Sequence, residues 1–239
     1  MKQEILGVNI DNIGLKESIG RISDFLKSDG QHYIVTVNAE FIVAAQKNEA
    51  FKKVLNQASL ALCDGFGPIL ASGGKLQRVI GVDLSAELLK GQVEEAKIFL
   101  LGGEEGSAKR VASKYPQTVV GAERGGIINQ EKWLLDNNEI ILNKINASGA
   151  NILLVGFGQV KQEMWIKRNL EKMPAVKVAM GVGGTFDYLS GQVRRAPKFL
   201  RSLGLEWLFR LLIQPQRIGR IFNATVKFLW LVMFDKKAN

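Results

Sequence analysis

The sequence predicts an α/β chain: a Rossmann-like parallel sheet sandwiched by helices, followed by a C-terminal amphipathic helical appendage. Three observations carry this expectation. Short, continuously apolar segments rich in β-branched residues recur along the chain, and each ends in glycine or a small polar residue. A helical pattern follows most of them. Strands covered on both faces read as unbroken apolar runs, and their alternation with helices marks a parallel sheet. Finally, the composition changes near residue 193, from a near-neutral body to a basic, apolar tail.

The elements follow in order. Tyr33–Val37 reads as a strand, with Glu40–Gln57 as the helix after it. Leu60–Cys63 is a short strand running into Asp64-Gly65, and Ile98–Leu101 ends at Gly102-Gly103 before a helix over Glu104–Lys114. Thr118–Val120 ends near Gly121, and Gln130–Ala147 is expected to be helical. Ile152–Val155 ends at Gly156-Phe157-Gly158, with a helix over Gln162–Leu170. Val176–Met180 is the last strand, ending at Gly181-Val182-Gly183-Gly184.

Composition excludes several classes. With 46% hydrophobic and 23% charged residues over 239 positions, wholesale disorder is ruled out. The single cysteine, Cys63, excludes a disulfide framework and a Cys-based zinc cluster; it reads as a small buried residue rather than a nucleophile. His32 is the only histidine, so a His-paired triad has one place to form and zinc catalysis is not expected. The start, Met1–Gly7, lacks the apolar core and small-residue cleavage site of a secretory leader, so the body is expected in the cytosol.

The net charge of +9 is unevenly placed. Residues 1–193 hold 22 Lys/Arg against 21 Asp/Glu, whereas residues 194–239 hold 10 against 2, Glu206 and Asp235. The expected division is a Rossmann-like body over 1–193 and a basic appendage over 194–239. In the appendage, Phe199–Ile213 is dense in Leu, Phe and Trp207, and a second helical stretch runs over Gln216–Phe234. Arg217, Arg220 and Lys227 share one flank of that helix, and Arg210 lies seven residues before Arg217. Ile221–Phe234 as a helix reaches about 21 Å, short of a hydrocarbon core of about 30 Å. A cationic flank beside a Trp/Phe/Leu face reads instead as a helix lying on an anionic membrane surface. So much unbroken apolar surface suits nucleic acid poorly, and it invites self-association into a homo-oligomer where no membrane is present.

In doubly wound sheets, ligands bind beyond the carboxyl ends of the strands. That places Asn38, Asp64, Gly102, Gly103, Gly156, Phe157, Gly184 and Asp187 at one rim, where glycine turns let backbone N–H groups approach a phosphate. The full dinucleotide fingerprint G-x-G-x-x-G is absent, as is the P-loop pattern, which argues against redox and ATPase readings. Asp64, followed by Gly65 and Gly67, can take a proton from a hydroxyl nucleophile or cap the following helix. Thr36 and Asn38 can position a sugar or phosphate, or satisfy loop backbone. Arg78 and Asp83 flank Gly81; a guanidinium there suits a diphosphate, or an internal ion pair. Gln162 can read a base edge and Asp187 can bind sugar hydroxyls or cap a helix. No D-x-D triplet occurs, so no metal or other cofactor is expected, and cationic side chains or helix dipoles must stabilise a departing diphosphate.

Six ordered motifs span nearly the whole chain: Thr36-Val37-Asn38-Ala39-Glu40, Asp64-Gly65-Phe66-Gly67, Arg78-Val79-Ile80-Gly81-Val82-Asp83, Gly156-Phe157-Gly158 with Lys161-Gln162-Glu163, Gly181–Asp187, and Arg195-Ala196-Pro197 with Gly204-Leu205-Glu206-Trp207. This pattern resembles the WecG/TagA/CpsF family of bacterial glycosyltransferases, and within it the wall teichoic acid linkage-unit branch. The resemblance implies metal-independent, inverting transfer of N-acetylmannosamine from UDP-ManNAc to the 4-hydroxyl of GlcNAc on undecaprenyl diphosphate, giving a β-1,4 linkage at the cytoplasmic membrane face. It implies Asp64 as general base, with Thr36, Asn38, Arg78, Gln162 and Asp187 in the pocket. Arg210, Arg217 and Arg220 are then implied at the lipid diphosphate. Arg124-Gly125-Gly126 departs from the glycine-aromatic-Phe turn common in the family. Two alternatives stay open: a UDP-ManNAcA transferase of the enterobacterial common antigen type, and a non-catalytic nucleotide-binding module at the membrane surface.

Overall fold

A computed structural model describes residues 2–197, 199–200, 206–213, 216 and 218–234. An N-terminal hairpin, β1 (Lys2–Ile5) and β2 (Val8–Asp11), leads through α1 (Leu15–Lys27) into β3 (His32–Val37). Helices α2 (Ala39–Ala45) and α3 (Glu49–Asn56) precede β4 (Leu60–Cys63), α4 (Phe66–Ala71) and α5 (Gly81–Leu89). Then come β5 (Ile98–Gly102), α6 (Ser107–Lys114), β6 (Val119–Glu123) and a small hairpin of β7 (Ile128–Asn129) and β8 (Leu134–Leu135). The body closes with α7 (Asn138–Ser148), β9 (Ile152–Gly156), α8 (Lys161–Asn169), β10 (Val178–Gly181) and α9 (Thr185–Ser190).

Six strands form one parallel sheet in the order β4-β3-β10-β9-β5-β6. Alternate residues of each strand go to opposite faces, and both faces are dry. Ile34, Leu60, Leu62, Ile98, Leu100, Ile152, Leu154, Val178 and Met180 pack under α1, α5, α6 and α9. Val35, Val37, Ala61, Cys63, Phe99, Leu101, Leu153, Val155 and Ala179 pack on the other side with residues of α2, α3, α7 and α8. Each fully buried Leu or Ile contributes about 1.5–3 kcal/mol, so the apolar runs alone specify the layering.

The helix expected over Glu104–Lys114 starts only at Ser107, and three longer expected helices are cut or divided. The stretch 40–57 breaks at Asn48, whose Oδ1 accepts the Phe51 N–H at 3.0 Å and caps a new helix. The stretch 130–147 starts only at Asn138. Before it, Asn129 Oδ1 takes the N–H groups of Glu131 and Lys132, and Asp136 Oδ1 takes those of Ile127 and Asn137. Side chains that capture nearby N–H groups offer the backbone an alternative to helix.

The third case is the stretch 216–234. It divides into α11 (Ile218–Phe222), a π-helical turn (Asn223–Lys227) and α12 (Phe228–Phe234), after α10 (Glu206–Ile213). Thr225 Oγ1 donates to the Ile221 carbonyl at 2.7 Å, a back-bond that bends helices. The segment folds back onto α2 and α4. Phe228 is its buried anchor: a Cβ added to Gly67 would stand 3.2 Å from the ring and 3.0 Å from Ala39 Cβ. Among the described residues, no helix is long and apolar enough to cross a membrane.

Phe228→Ala removes an aromatic ring worth about 3 kcal/mol in a packed site. Limited proteolysis should then cleave residues 213–234 faster than in the parent; unchanged cleavage would mean that the contact on α2 and α4 does not hold the segment.

Candidate active site

The strand order sets where a ligand enters. The chain leaves β5 outward toward β6 and leaves β9 the opposite way, toward β10. Adjacent strands with diverging connections open a crevice at their carboxyl ends. A cavity of about 660 Å³ lies there, lined from all six strand ends. Gly102 (φ +104°) allows the closest approach of its floor, because a Cβ there would lie 2.8 Å from the carbonyl carbon and oxygen of Gly156. Only glycine fits both that backbone angle and that distance.

Of the residues expected at the site, Thr36, Asn38, Asp64, Gly102, Gly103, Gly156, Phe157, Gln162, Gly184 and Asp187 line this one cavity. Arg78 and Asp83 do not. The Arg78 guanidinium lies 4.6 Å from the Phe66 ring centroid, and Asp83 in α5 pairs with Arg195 at 2.5 Å. Arg217 lies outside the described residues, and Arg210 and Arg220 are placed in α10 and α11 by their backbone only. The cavity also recruits Phe41, Glu104, Arg124, Asp136, Gln159 and Tyr188, which strand-end reasoning alone does not reach. Their signal was the loop after each strand, read further from the glycine.

Asp64 does not cap α4, whose N-terminal residue Gly65 has no side-chain partner. Its Oδ2 instead accepts the Gly81 N–H at 3.3 Å, at the start of α5. A Cβ on Gly81 would meet Asp64 Oδ2 at 3.3 Å and Thr36 Oγ1 at 3.6 Å, so both side chains converge over one backbone amide. Asn38 spends its Oδ1 on the Phe41 N–H as the cap of α2, and Asp187 Oδ1 accepts the Glu104 N–H at 3.0 Å. These two residues thus tie the loops that form the wall. Behind them, burial and the Asp64 charge push the Cys63 thiol up to about 12, with nearby Arg78 pulling weakly the other way. That thiol stays neutral and is no nucleophile.

The wall is acidic. Asp64, Glu104, Asp136 and Asp187 line it, and Arg124 is the one cationic side chain that does so among the described residues. Arg124 reaches Glu105 at 3.7 Å, with both side chains largely in solvent. An exposed pair of this kind contributes little and exchanges partners readily. Among the described residues, no three His, Cys, Asp or Glu side chains gather as a metal site.

Helix α8 carries Gln162 and is firmly seated. Trp165 Nε1 donates to Asn138 Oδ1 at 2.9 Å, and Asn138 Nδ2 donates to Asn169 Oδ1 at 3.0 Å, all buried. Gln162 and Glu163 are themselves 2% and 1% exposed. Burial raises the Glu163 carboxyl to about 7, against the pull of the Gln162 amide and of the nearby Glu163 and Val160 N–H groups.

A parallel α/β sheet with its cavity at a topological switch point, glycine loops at the floor and carboxylates on the wall is the arrangement of a ligand site at the strand ends of an α/β protein. The chain belongs to the glycosyl transferase WecG/TagA/CpsF family, whose family model matches residues 3–239. It is 35% identical to the N-acetylglucosaminyldiphosphoundecaprenol N-acetyl-beta-D-mannosaminyltransferase of Staphylococcus aureus strain MRSA252, over 99% of this chain and 94% of that protein. A relative of the same name from strain NCTC 8325 is 33% identical over the same shares. The protein is therefore a glycosyltransferase.

The raised Glu163 carboxyl makes stability depend on pH. Unfolded, the group loses its proton near its ordinary value of 4.5; folded, it keeps the proton to about 7. The folded state thus binds more protons between those values, and its contribution falls as pH rises through them, by on the order of 2–3 kcal/mol. Urea denaturation at pH 5 and pH 8 should show this component in the parent and not in Glu163→Gln; equal slopes in both would remove Glu163 as its source.

Proposed function

We propose that the protein transfers N-acetylmannosamine from UDP-ManNAc to the 4-hydroxyl of GlcNAc on undecaprenyl diphosphate, forming a β-1,4 linkage with inversion, in wall teichoic acid linkage-unit synthesis. The names of its relatives support the transferred N-acetylmannosaminyl group and the N-acetylglucosaminyldiphosphoundecaprenol acceptor, and the UDP carrier and the 4-hydroxyl follow from the family resemblance. The observation that carries the mechanism is Asp64, held at the cavity wall by the Gly81 N–H beside Thr36.

In this reading the donor diphosphate lies over the glycine turns at Gly102-Gly103 and Gly156-Phe157-Gly158, with Gly184 beside them. Thr36, Asn38, Gln162 and Asp187 surround the sugar. Asp64 takes the proton of the acceptor hydroxyl as its oxygen attacks the anomeric carbon. The bond from that carbon to UDP breaks on the opposite face, and its electron pair leaves on the β-phosphate. Inversion follows from a single displacement. No metal step is invoked: backbone N–H groups and guanidinium groups meet the leaving charge. Arg124 is the described candidate for this task, exchanging Glu105 for a phosphate oxygen.

The lipid end of the acceptor falls to the C-terminal segment, proposed to rest on an anionic membrane at the cytoplasmic face. Phe222, Val226, Leu229, Trp230, Met233 and Phe234 are exposed on it, an apolar surface beside a run of basic residues. Arg210, Arg217 and Arg220 are proposed to meet the lipid diphosphate. The division into a body over 1–193 and an appendage over 194–239 belongs to the same proposal.

The test is incubation with UDP-ManNAc and lipid-linked GlcNAc, followed by release of UDP. Transfer from UDP-ManNAcA in preference, or no release at all, would overturn the assignment. Asp64→Asn should lower kcat by at least about a hundredfold while UDP still binds; near-parental turnover would remove Asp64 as base. Arg124→Ala should raise the donor KM about tenfold, the value of a charge-assisted phosphate contact, and Glu105→Gln should lower it. An unchanged donor KM in both variants would place the diphosphate elsewhere.

A further inference from the structure

Among the described residues, the mechanism leaves one buried carboxyl unused. Glu163 sits in α8 directly beneath the site, 1% exposed, and its Oε2 has no hydrogen-bond partner. Its Oε1 accepts from Gln162 Nε2 at 2.6 Å. Gln162 Oε1 in turn accepts the Gly183 N–H at 2.9 Å. The Gly183 N–H fixes the amide in one orientation, since a flip would set NH₂ against N–H. Gln162 therefore holds two walls of the cavity together, and its reach toward a ligand is limited to the second hydrogen on Nε2.

Two further features sit on the same chain of contacts. Gly181, at the end of β10, has room for the pair only because it lacks a side chain. A Cβ there would lie 2.5 Å from both Gln162 Nε2 and Glu163 Oε1. Val160, whose backbone N–H leans on the Glu163 carboxyl, has φ +69°, a conformation that β-branched residues rarely adopt. Strain of this kind persists only where the surroundings over-determine it.

We propose that Glu163 is a positioning residue which, through the Gln162 amide, fixes the loops at 156–160 and 181–184 relative to each other and so shapes the donor site. This rests on the reading of the cavity as the donor site. The carboxyl need not touch substrate. Its acceptor oxygen is what counts, so Gln can replace it and Ala cannot.

The experiment compares Glu163→Ala, Glu163→Gln and Gly181→Ala with the parent enzyme, measuring UDP binding by calorimetry, donor KM and kcat, and amide exchange at Gly183 by NMR. In Glu163→Ala the UDP Kd and donor KM should rise about tenfold, within the cost expected of a displaced site wall. Glu163→Gln should restore most of that loss. Gly181→Ala, which does not itself line the cavity, should reproduce the Ala phenotype by pushing the same pair apart. Exchange at Gly183 should quicken in Glu163→Ala and Gly181→Ala alone. A purely structural role would lower melting temperature or active fraction at parental KM and Kd, and that result overturns the proposal, as does a Gln variant no better than Ala. If the parent itself fails to bind UDP, the donor-site reading falls, and exchange at Gly183 alone decides whether Glu163 positions the loop.

Discussion

Covering both faces of a six-stranded parallel sheet leaves the strand ends as the one place where the backbone can meet a ligand. Ile152, Leu153, Leu154 and Val155 are wholly buried, and the polar chemistry starts at the next residue, Gly156. The same switch from apolar run to glycine or carboxylate occurs at Val37-Asn38, Cys63-Asp64 and Leu101-Gly102. Because neighbouring strands are in register, these switches fall side by side. The cavity is thus a by-product of the layering, and the sequence tunes it one residue past each strand.

That arrangement has an electrostatic consequence. A wall bearing four carboxylates suits hydroxyl-rich sugars, which carboxylates bind as hydrogen-bond acceptors, but it repels an anionic donor. Cationic help has to come from beyond the strand ends. Arg124, on the loop after β6, is one source, and the basic segment beyond residue 193 is the proposed other. A near-neutral body with a strongly positive tail is the charge distribution such a division requires. It also explains why whole-protein charge, read without position, would have pointed toward nucleic acid.

Five of the six sheet strands were legible to within two residues because a buried strand leaves a run of apolar residues, whereas β6, which is not buried, runs on to Glu123 past the end expected near Gly121. Helix limits were less so. Asn48, Asn129 and Asp136 interrupt patterns that are otherwise helical, through side-chain bonds to one or two nearby N–H groups that periodicity does not register. The hairpin of β1 and β2 and the short helices near Phe66, Gly81 and Thr185 are too brief to stand out, whereas α1 went unassigned although Leu15, Ile19, Ile22, Phe25 and Leu26 recur at helical spacing. Asp64, Thr36 and Asn38 were found from their places after strands, whereas the partner that holds Asp64 is a backbone amide seventeen residues on. Arg78 and Asp83 were singled out in sequence because they flank Gly81, yet neither lines the cavity: the Arg78 guanidinium lies by the Phe66 ring and Asp83 pairs with Arg195. Glu163 was invisible for the opposite reason: in sequence it is a helix N-terminal acid, and only packing reveals it as wholly buried.

The central claim is that the crevice between β5 and β9 holds the donor with its sugar turned toward Asp64. A crystal structure with UDP bound measures this directly. The account predicts the diphosphate over Gly102-Gly103 and Gly156–Gly158, with its terminal phosphate on the Asp64 side of the cavity. Nucleotide bound on another face, or with its terminal phosphate directed away from Asp64, would contradict it.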